Sequence, residues 1–191
     1  MNICLYGASS SEIDESYIKS VEVLGELIGK SGHCLVYGGG ANGLMGAAAR
    51  GVIKGGGKVI GIAPSFFNVD GVLFENCSQL IYTETMRERK LKMENMSDAF
   101  IAVPGGIGTF DELFEIMTLK QLGRHNKPIA IFNINGYYTY LEKMLKNAVS
   151  EKFMTENSKM LAPIFTRPNE IIEYFNNYNA DSYDFSALKR V

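Results

Sequence analysis

Short apolar runs alternate with longer amphipathic stretches along most of the chain, and this alternation restricts the possible folds more than any other feature. The apolar runs predict strands at Asn2–Tyr6, Cys34–Tyr37, Lys58–Ile62, Gln79–Tyr82, Ala99–Val103 and Pro128–Phe132. The amphipathic stretches predict helices over about Glu12–Lys30, Gly43–Lys54, Thr85–Ser97, Phe110–Leu122 and Tyr137–Ser150, followed by a weaker strand signal at Met160–Ile164 and a helix at Asn169–Asn176. Strands of this kind, apolar on both faces and alternating with helices, form parallel sheets covered by helices on both sides. The sequence therefore predicts an α/β fold with a doubly wound parallel sheet.

The length and composition of the chain indicate one folded domain with a sizeable core. Of its 191 residues, 46% are hydrophobic and 21% are charged, which is ordinary for a soluble globular protein. We expect this single domain to cover residues 1–179, with a polar and peripheral C-terminal tail at residues 180–191.

The charge balance and the scarcity of metal-binding side chains argue against several classes of protein. Nineteen Lys and Arg residues against 21 Asp and Glu residues give a net charge of -2, so nothing favours binding to nucleic acid or to a membrane surface. The sequence has no apolar run near the roughly 20 residues that a membrane helix needs, and we expect no signal peptide. Cys4, Cys34 and Cys77 are far apart and indicate free thiols in a reducing cytoplasm. His33 and His125 are too few for a histidine-rich metal site.

Three loops rich in glycine or serine follow predicted strands. They are Gly7–Ser11, Gly38–Gly43 and Pro104–Thr109. Ligands of open parallel sheets bind beyond the carboxyl ends of the strands, where all three loops would meet. Their convergence predicts a binding site at this edge of the sheet.

The loop Gly38–Gly43 matches the G-x-G-x-x-G pattern of dinucleotide-binding proteins, but the rest of that pattern is missing. An acidic residue should follow about 20 positions later to hold a ribose hydroxyl, and the segment Val59–Ala63 contains none. We therefore reject binding of NAD. Two interpretations stay open: a tight turn with close helix–strand packing, helped by Gly46–Ala49, or a loop whose Gly39 and Gly40 contact phosphate or ribose.

The loop Pro104–Thr109 is the better candidate for a phosphate site. Gly105, Gly106 and Gly108 let backbone N–H groups approach an anion without hindrance from a Cβ atom. The helix that follows adds a positive partial charge at its N-terminus, and Thr109 adds a hydroxyl. The lysine of the Walker pattern is missing, so hydrolysis of a nucleoside triphosphate is not implied. The alternative is a sharp strand-to-helix turn.

Glu112 and Arg89 are the candidate reactive side chains. Thr109 and Glu112 fit a helix-capping box, which is the structural interpretation of Glu112, yet a carboxylate beside a phosphate site also suggests chemistry. Glu115, one turn later, is better suited to supporting a partner. Arg89 lies on a helix face with Met86, Met93 and Met96, and a guanidinium on an apolar stripe requires a partner or a bound anion. The remaining charges of that helix predict a solvated face, at Arg87, Lys92 and Glu94.

Together these residues resemble a known family. Arg89-Lys90, followed by Pro104-Gly105-Gly106-x-Gly108-Thr109-x-x-Glu112, is similar to the LONELY GUY (LOG) family of cytokinin riboside 5′-monophosphate phosphoribohydrolases, whose members have often been named lysine decarboxylases. The resemblance extends over most of the chain, through Gly7–Ser11, Tyr37–Gly46, Gln121–Pro128 and Asn133–Tyr138.

The resemblance implies a Rossmann-like fold, a homodimer, and an enzyme that needs neither cofactor nor metal. The implied reaction cleaves the N-glycosidic bond of an adenine-type nucleoside 5′-monophosphate, either cytokinin riboside monophosphate or AMP, to the free base and ribose 5-phosphate. By position, Arg89 and Glu112 match the catalytic pair. The matching substrate or phosphate contacts are Ser9, Gly39, Gly40, Lys90, Gly105, Gly106, Ile107, Gly108, Thr109 and Thr118.

Two positions depart from the family pattern, and two other functions stay open. Gly71 stands where many members carry a Glu, with Asp70 beside it and Glu75 nearby, and Leu119 stands where a Trp is usual. The first alternative is a broader nucleoside 5′-monophosphate nucleosidase in salvage, and the second is a non-catalytic nucleotide or molybdenum-cofactor carrier. Lysine decarboxylation would need pyridoxal phosphate and a Schiff-base lysine, which nothing in the sequence marks. Three methionines would belong either to a dimer interface or to the core: Met93, Met96 and Met117.

Overall fold

The computed structural model describes residues 1–69 and 71–180, and in this part of the chain seven parallel strands form one sheet. The strands are β1 (Asn2–Tyr6), β2 (Cys34–Tyr37), β3 (Lys58–Pro64), β4 (Gln79–Thr83), β5 (Ala99–Ala102), β6 (Ile129–Phe132) and β7 (Ile164–Phe165). Their order across the sheet is β4-β3-β2-β1-β5-β6-β7. The chain thus winds outward from β1 to one edge and then returns to the other side of β1. This reversal is the doubly wound topology that the sequence predicts, and it places the switch point between β1 and β5.

Six α-helices cover the two faces of the sheet within the described residues. They are α1 (Glu15–Lys30), α2 (Gly43–Lys54), α3 (Met86–Met96), α4 (Ile107–Gln121), α5 (Thr139–Ser150) and α6 (Pro168–Asn176). One core layer packs α1, α2 and α6 on the sheet, and the other packs α3 and α4 on its opposite face. Alternate residues of β1 show the division, since Ile3 and Leu5 enter the first layer while Cys4 and Tyr6 enter the second.

Most predicted elements are confirmed, and one is wrong. β1, β2 and α2 have the predicted bounds, and the others shift by up to three residues at an end. The predicted strand at Met160–Ile164 is wrong, because Glu156–Met160 forms a 3-10 helix and the edge strand begins only at Ile164. Of the predicted tail, residues 181–191 lie outside the described residues. The domain limits at 1–179 stay a prediction.

The start of α4 differs from the prediction in a way that matters for the site. The helix begins at Ile107 rather than Phe110, with Gly106 as its N-cap residue. Thr109 is therefore buried inside the first turn, and the alternative interpretation of Thr109 and Glu112 as a capping box is wrong. This correction leaves Glu112 without a capping role.

Candidate active site

A cleft with a volume of about 620 Å³ opens at the carboxyl edge of the sheet, beside the switch point. All three glycine-rich loops contribute to its walls, as do the first turns of α3 and α4 and the loop that follows β3. The sequence-predicted residues that line it are Ser9, Gly40, Arg89, Lys90, Gly106, Gly108, Thr109 and Glu112. The structure thus brings the predicted catalytic pair and the phosphate loop to one cavity.

Arg89 is held by its helix and by two hydrogen bonds. A capping box between Thr85 and Glu88 fixes the start of α3, so Arg89 points from the first turn toward the sheet. Its Nε donates to the carbonyl of Ile62 at 3.1 Å, and its Nη1 donates to Oε1 of Glu112 at 2.8 Å. Both hydrogen bonds use the planar guanidinium, and the ammonium group of a lysine could not reproduce this geometry.

Gly38 makes room for this guanidinium. A Cβ atom at position 38 would lie 2.0 Å from Nη2 of Arg89, so any larger residue would displace the arginine. The glycine at the end of β2 is therefore required by the position of Arg89.

The Arg89–Glu112 ion pair is almost fully buried at the wall of the cleft. The side chains are 8% and 11% exposed. Burial raises the pKa of Glu112 above its usual range, and the Arg89 guanidinium offsets part of this rise by stabilising the carboxylate. A buried ion pair costs desolvation energy and adds little to stability, so this pair beside a cavity is a candidate functional site.

Lys90 points toward two carboxylates of α4. Its Nζ lies 3.0 Å from Oδ2 of Asp111 and 2.6 Å from Oε2 of Glu115. The hydrogen bond to Glu115 is the larger cause of a raised pKa for Lys90, and Asp111 adds to it. Lys90 is therefore a fixed cation at the rim of the cleft. Glu115 supports this partner, as the sequence suggests.

The glycines of the Pro104–Thr109 loop divide into two kinds. A Cβ atom at Gly105 would lie 2.1 Å from Oγ1 of Thr109, so close packing requires this glycine. A Cβ atom at Gly106 or Gly108 would meet no protein atom within 4 Å. These two glycines border the cleft at the N-terminus of α4, where the first backbone N–H groups have no partner within the helix. The arrangement leaves space for an anion.

At the Gly38–Gly43 loop, the N-terminus of the following helix, α2, contacts protein atoms instead of open space. The N–H groups of Leu44 and Met45 donate to the carbonyl of Ala8 at 2.9 and 3.2 Å. Gly43 has φ +58°, and a Cβ atom there would lie 2.6 Å from the carbonyl oxygens of Ala8 and Ser10. The structure therefore favours the tight-turn interpretation for the α2 end of this loop.

Four predicted contacts lie away from the cavity walls. Gly39 packs beneath Leu73, and Gly105 is buried behind its loop. Ile107 is 83% exposed at the start of α4. Thr118 is also exposed, and its hydroxyl donates to the carbonyl of Phe114 at 2.7 Å.

An apolar wall of the cleft was missed by sequence reasoning. It consists of Met45, Phe67, Val72, Leu73 and Met86. Three of these residues belong to the loop after β3, which has no glycine-rich signature but does follow the carboxyl end of a strand. The location of this loop between a strand and the next element, rather than its composition, could have identified it as part of the site.

The two departures from the family pattern lie near the cleft. Gly71 belongs to the loop after β3, with φ +77°, and its carbonyl accepts a long hydrogen bond from Asn42 at 3.4 Å. Leu119 borders a smaller pocket of about 320 Å³ on the other side of Glu112. Asp70 lies outside the described residues. Met93 and Met117 are buried in the core of the chain, so the core interpretation is confirmed for them.

Sequence comparisons identify relatives over nearly the whole chain. The sequence model of the family described as "Possible lysine decarboxylase" matches residues 45–175. A probable cytokinin riboside 5′-monophosphate phosphoribohydrolase of Oryza sativa subsp. japonica is 36% identical over 177 residues, which cover 93% of this chain and 71% of the relative. A cytokinin riboside 5′-monophosphate phosphoribohydrolase of Arabidopsis thaliana is 36% identical over 185 residues, covering 96% of this chain and 86% of the relative.

Solved structures share the fold at lower identity. A molybdenum-cofactor (Moco) carrier protein from Chlamydomonas reinhardtii superposes with a TM-score of 0.70, at 22% identity, over 92% of this chain and 94% of the other. A molybdenum cofactor binding protein from Rippkaea orientalis gives a TM-score of 0.66 at 23% identity, over 92% of this chain and 93% of the other. At such identity the likeness shows the Rossmann-like fold alone. None of the helices in the described residues is long and apolar enough to cross a membrane.

Proposed function

Because the chain belongs to the LOG family, which is described as "Possible lysine decarboxylase" in the matching sequence model, we propose that it is a nucleoside 5′-monophosphate phosphoribohydrolase. The reaction is hydrolysis of the N-glycosidic bond of an adenine-type nucleoside 5′-monophosphate to free base and ribose 5-phosphate. The observation that carries the proposal is the buried Arg89–Glu112 pair beside the open N-terminus of α4 in one cleft.

The N-terminus of α4 is the proposed phosphate anchor. Gly106 and Gly108 border the cleft, and a Cβ atom at either position would point into open space. A phosphate there would accept hydrogen bonds from the first N–H groups of the helix. Binding energy from this remote group would hold the ribose near the reacting residues. The ammonium group of Lys90 lies at the same rim and already pairs with Asp111 and Glu115, so a phosphate that bound it would have to compete with these carboxylates.

Glu112 and Arg89 are the proposed catalytic residues. Cleavage of an N-glycosidic bond develops positive charge on the ribose and negative charge on the departing base, as in the related O-glycosidic reaction. The Glu112 carboxylate would stabilise the cationic ribose or activate water. Arg89 orients this carboxylate through its 2.8 Å hydrogen bond and would contact the phosphate or the leaving group.

The apolar wall of the cleft supports binding of a flat base. Phe67, Leu73 and Met86 offer apolar surface in the cleft that the polar residues of α4 also line. This wall suits adenine with or without an apolar N6 substituent, so both cytokinin riboside monophosphate and AMP are proposed substrates.

Neither Lys90 nor Lys120 fits pyridoxal phosphate chemistry in the cleft. A Schiff-base lysine needs a lowered pKa, whereas the carboxylates of Glu115 and Asp111 raise the pKa of Lys90 in the cleft. Lys120 has a pKa lowered to about 8, but it is buried beneath the ring of Tyr178 away from the cleft. The residues therefore give no support to lysine decarboxylation.

Release of free base, measured by chromatography, tests the proposal. The substrates are AMP, isopentenyladenosine monophosphate, GMP, CMP and adenosine, with wild type, Glu112→Gln and the exposed control Glu142→Gln side by side. We expect release from an adenine monophosphate, little release from adenosine, and loss of release in Glu112→Gln only. Release from all monophosphates would favour the broad nucleosidase.

Two outcomes contradict the proposal. Wild-type turnover in a folded Glu112→Gln variant would remove the catalytic role of Glu112. Tight nucleotide binding by wild type with no release from any substrate would favour a carrier.

We also propose a homodimer in the cytoplasm. Leu91 and Leu122 expose apolar surface on α3 and just after α4, which supports self-association, and light scattering after gel filtration measures the mass directly. Cys4, Cys34 and Cys77 are free thiols, which supports a reducing compartment.

A further inference from the structure

The turn after β6 places two tyrosines against the proposed phosphate loop. Its conformation is fixed by Asn135 at φ 51° and Gly136 at φ 75°, and by a hydrogen bond from the backbone N–H of Tyr138 to the Asn133 side chain at 2.7 Å. The tyrosines that follow, Tyr137 and Tyr138, have no part in the reaction proposed above.

Three consecutive carbonyls at the start of the phosphate loop, beginning with the residue before Pro104, each accept a hydrogen bond. The hydroxyl of Tyr138 donates to Val103 at 2.8 Å, the N–H of Ala8 donates to Pro104 at 3.1 Å, and the hydroxyl of Tyr137 donates to Gly105 at 2.6 Å. The orientation of three successive peptide planes is thereby set from outside the loop.

The bond at Gly105 bears most directly on the cleft. In a trans peptide the carbonyl and the next N–H point in opposite directions, and the described residues contain no cis peptide. Because the Gly105 carbonyl points at Tyr137, the N–H of Gly106 points away from it, and Gly106 lines the cleft. We propose that Tyr137 is a positioning residue, whose hydroxyl holds the Gly105–Gly106 peptide with its N–H directed at the substrate phosphate.

The ring of Tyr137 is held by two other aromatic rings. It packs edge-on against Tyr17 of α1, with ring centroids 6.4 Å apart, and against Tyr138 at 5.1 Å. Asn135 ties the same turn to α1 through a 2.8 Å hydrogen bond to Ser16. The turn after β6, α1 and the phosphate loop thus form one braced unit.

Removal of the hydroxyl group should affect stability differently at the two tyrosines. Tyr138 is 1% exposed, so removing its hydroxyl would leave a buried carbonyl unpaired and lower stability. Tyr137 is 39% exposed, so water can reach this side chain and the cost to stability is small. Water would not fix the peptide plane, and a Tyr137→Phe variant therefore separates positioning from packing.

The inference rests on the proposed function, and its test uses ligand binding as well as turnover. Calorimetry measures Kd for ribose 5-phosphate and for adenosine with wild type, Tyr137→Phe and the exposed control Tyr140→Phe. We expect about a five- to tenfold higher Kd for ribose 5-phosphate in Tyr137→Phe, corresponding to one lost hydrogen bond. Adenosine binding should change less than about twofold, and the KM for AMP should rise with the Kd for ribose 5-phosphate.

The outcomes separate this inference from the proposed function. A Tyr137→Phe variant with a lower Tm but unchanged Kd for ribose 5-phosphate would mean a purely structural role and would overturn the inference. Failure of wild type to bind ribose 5-phosphate would instead overturn the phosphate anchor of the proposed function, and the inference with it. Equal losses for ribose 5-phosphate and adenosine would also overturn it, because a general distortion of the cleft would explain them.

Discussion

Replacing Gly108 with alanine should make the protein more stable and less active at the same time. Gly108 is the second residue of α4, its φ is not in the positive range, and an added Cβ would meet no protein atom within 4 Å. A glycine-to-alanine change in such a backbone conformation stabilises a protein by about 0.4–1 kcal/mol, mainly by restricting the unfolded chain. For a chain of this length, that corresponds to a rise in Tm of roughly 1–4 °C.

The same methyl group should obstruct the proposed phosphate site. Cα–Cβ bonds in a helix tilt toward its N-terminus, so the new methyl would occupy the space in front of the first N–H groups of α4. Phosphate oxygens must approach those groups to about 2.7–2.9 Å for charge-assisted hydrogen bonds. Loss of one such bond costs about 1.5–3 kcal/mol, so kcat/KM should fall roughly 10- to 150-fold.

Thermal unfolding and base release from AMP measure the two effects on one preparation. The matched variant is Gly105→Ala, whose Cβ would lie 2.1 Å from Oγ1 of Thr109 and which should therefore lose stability. Unchanged kcat/KM in Gly108→Ala would refute the phosphate site at α4. A lower Tm in Gly108→Ala would refute the conclusion that this position is free of packing.

Three further predictions concern charged and titrating groups. A lysine at position 89 cannot form both hydrogen bonds to Ile62 and Glu112, so Arg89→Lys should lower kcat at least about tenfold while the protein stays folded. Loss of folded protein with kcat unchanged in the folded fraction would indicate a purely structural ion pair. Because burial raises the pKa of Glu112, the acidic limb of the kcat–pH profile should lie above the usual carboxylate range if the ionised form reacts. The Glu112→Asp variant should shift this limb, and a wild-type limb near pH 4 would contradict the prediction. Burial lowers the pKa of His125 to about 4 from an unfolded value near 6.5, so the unfolded state binds more protons between these values. Urea unfolding should therefore show stability falling as the pH drops from about 6.5 to 4, with a weaker dependence in His125→Gln.

The sequence predicts the sheet well because buried parallel strands have a clear signature. The runs Asn2–Tyr6 and Cys34–Tyr37 are apolar on both faces, and the structure confirms both bounds. The edge strand at Ile164–Phe165 has only two residues, and both are only partly buried, so the sequence lacks the apolar run that marks a buried strand. The error at Met160 follows from this weak signal.

The sequence predicts those parts of the candidate site that need a particular residue type, and it does not predict those parts that need only an apolar surface. Sequence reasoning singles out Arg89 and Glu112 as charged residues near helix starts, and both line the cleft. The apolar wall was missed because Phe67 and Leu73 resemble core residues, and only the topology brings their loop over the cleft. The capping-box interpretation of Glu112 fails because the same four-residue pattern can occur inside a first turn, and the helix already begins after Gly106.

The two glycine loops that precede helices show why a glycine motif alone does not identify a binding site. Both follow strands and both open helices, yet the N-terminus of α2 is closed by the carbonyl of Ala8, which accepts from Leu44 and Met45. At the other loop, the carbonyls of Val103, Pro104 and Gly105 instead accept hydrogen bonds from residues outside the loop, and the N-terminus of α4 borders the cleft. Both arrangements depend on the loop after β1, which lies at the switch point between them. The hydrogen bonds to Ala8 therefore distinguish the α2 end, which serves packing, from the α4 end, which is the proposed ligand site.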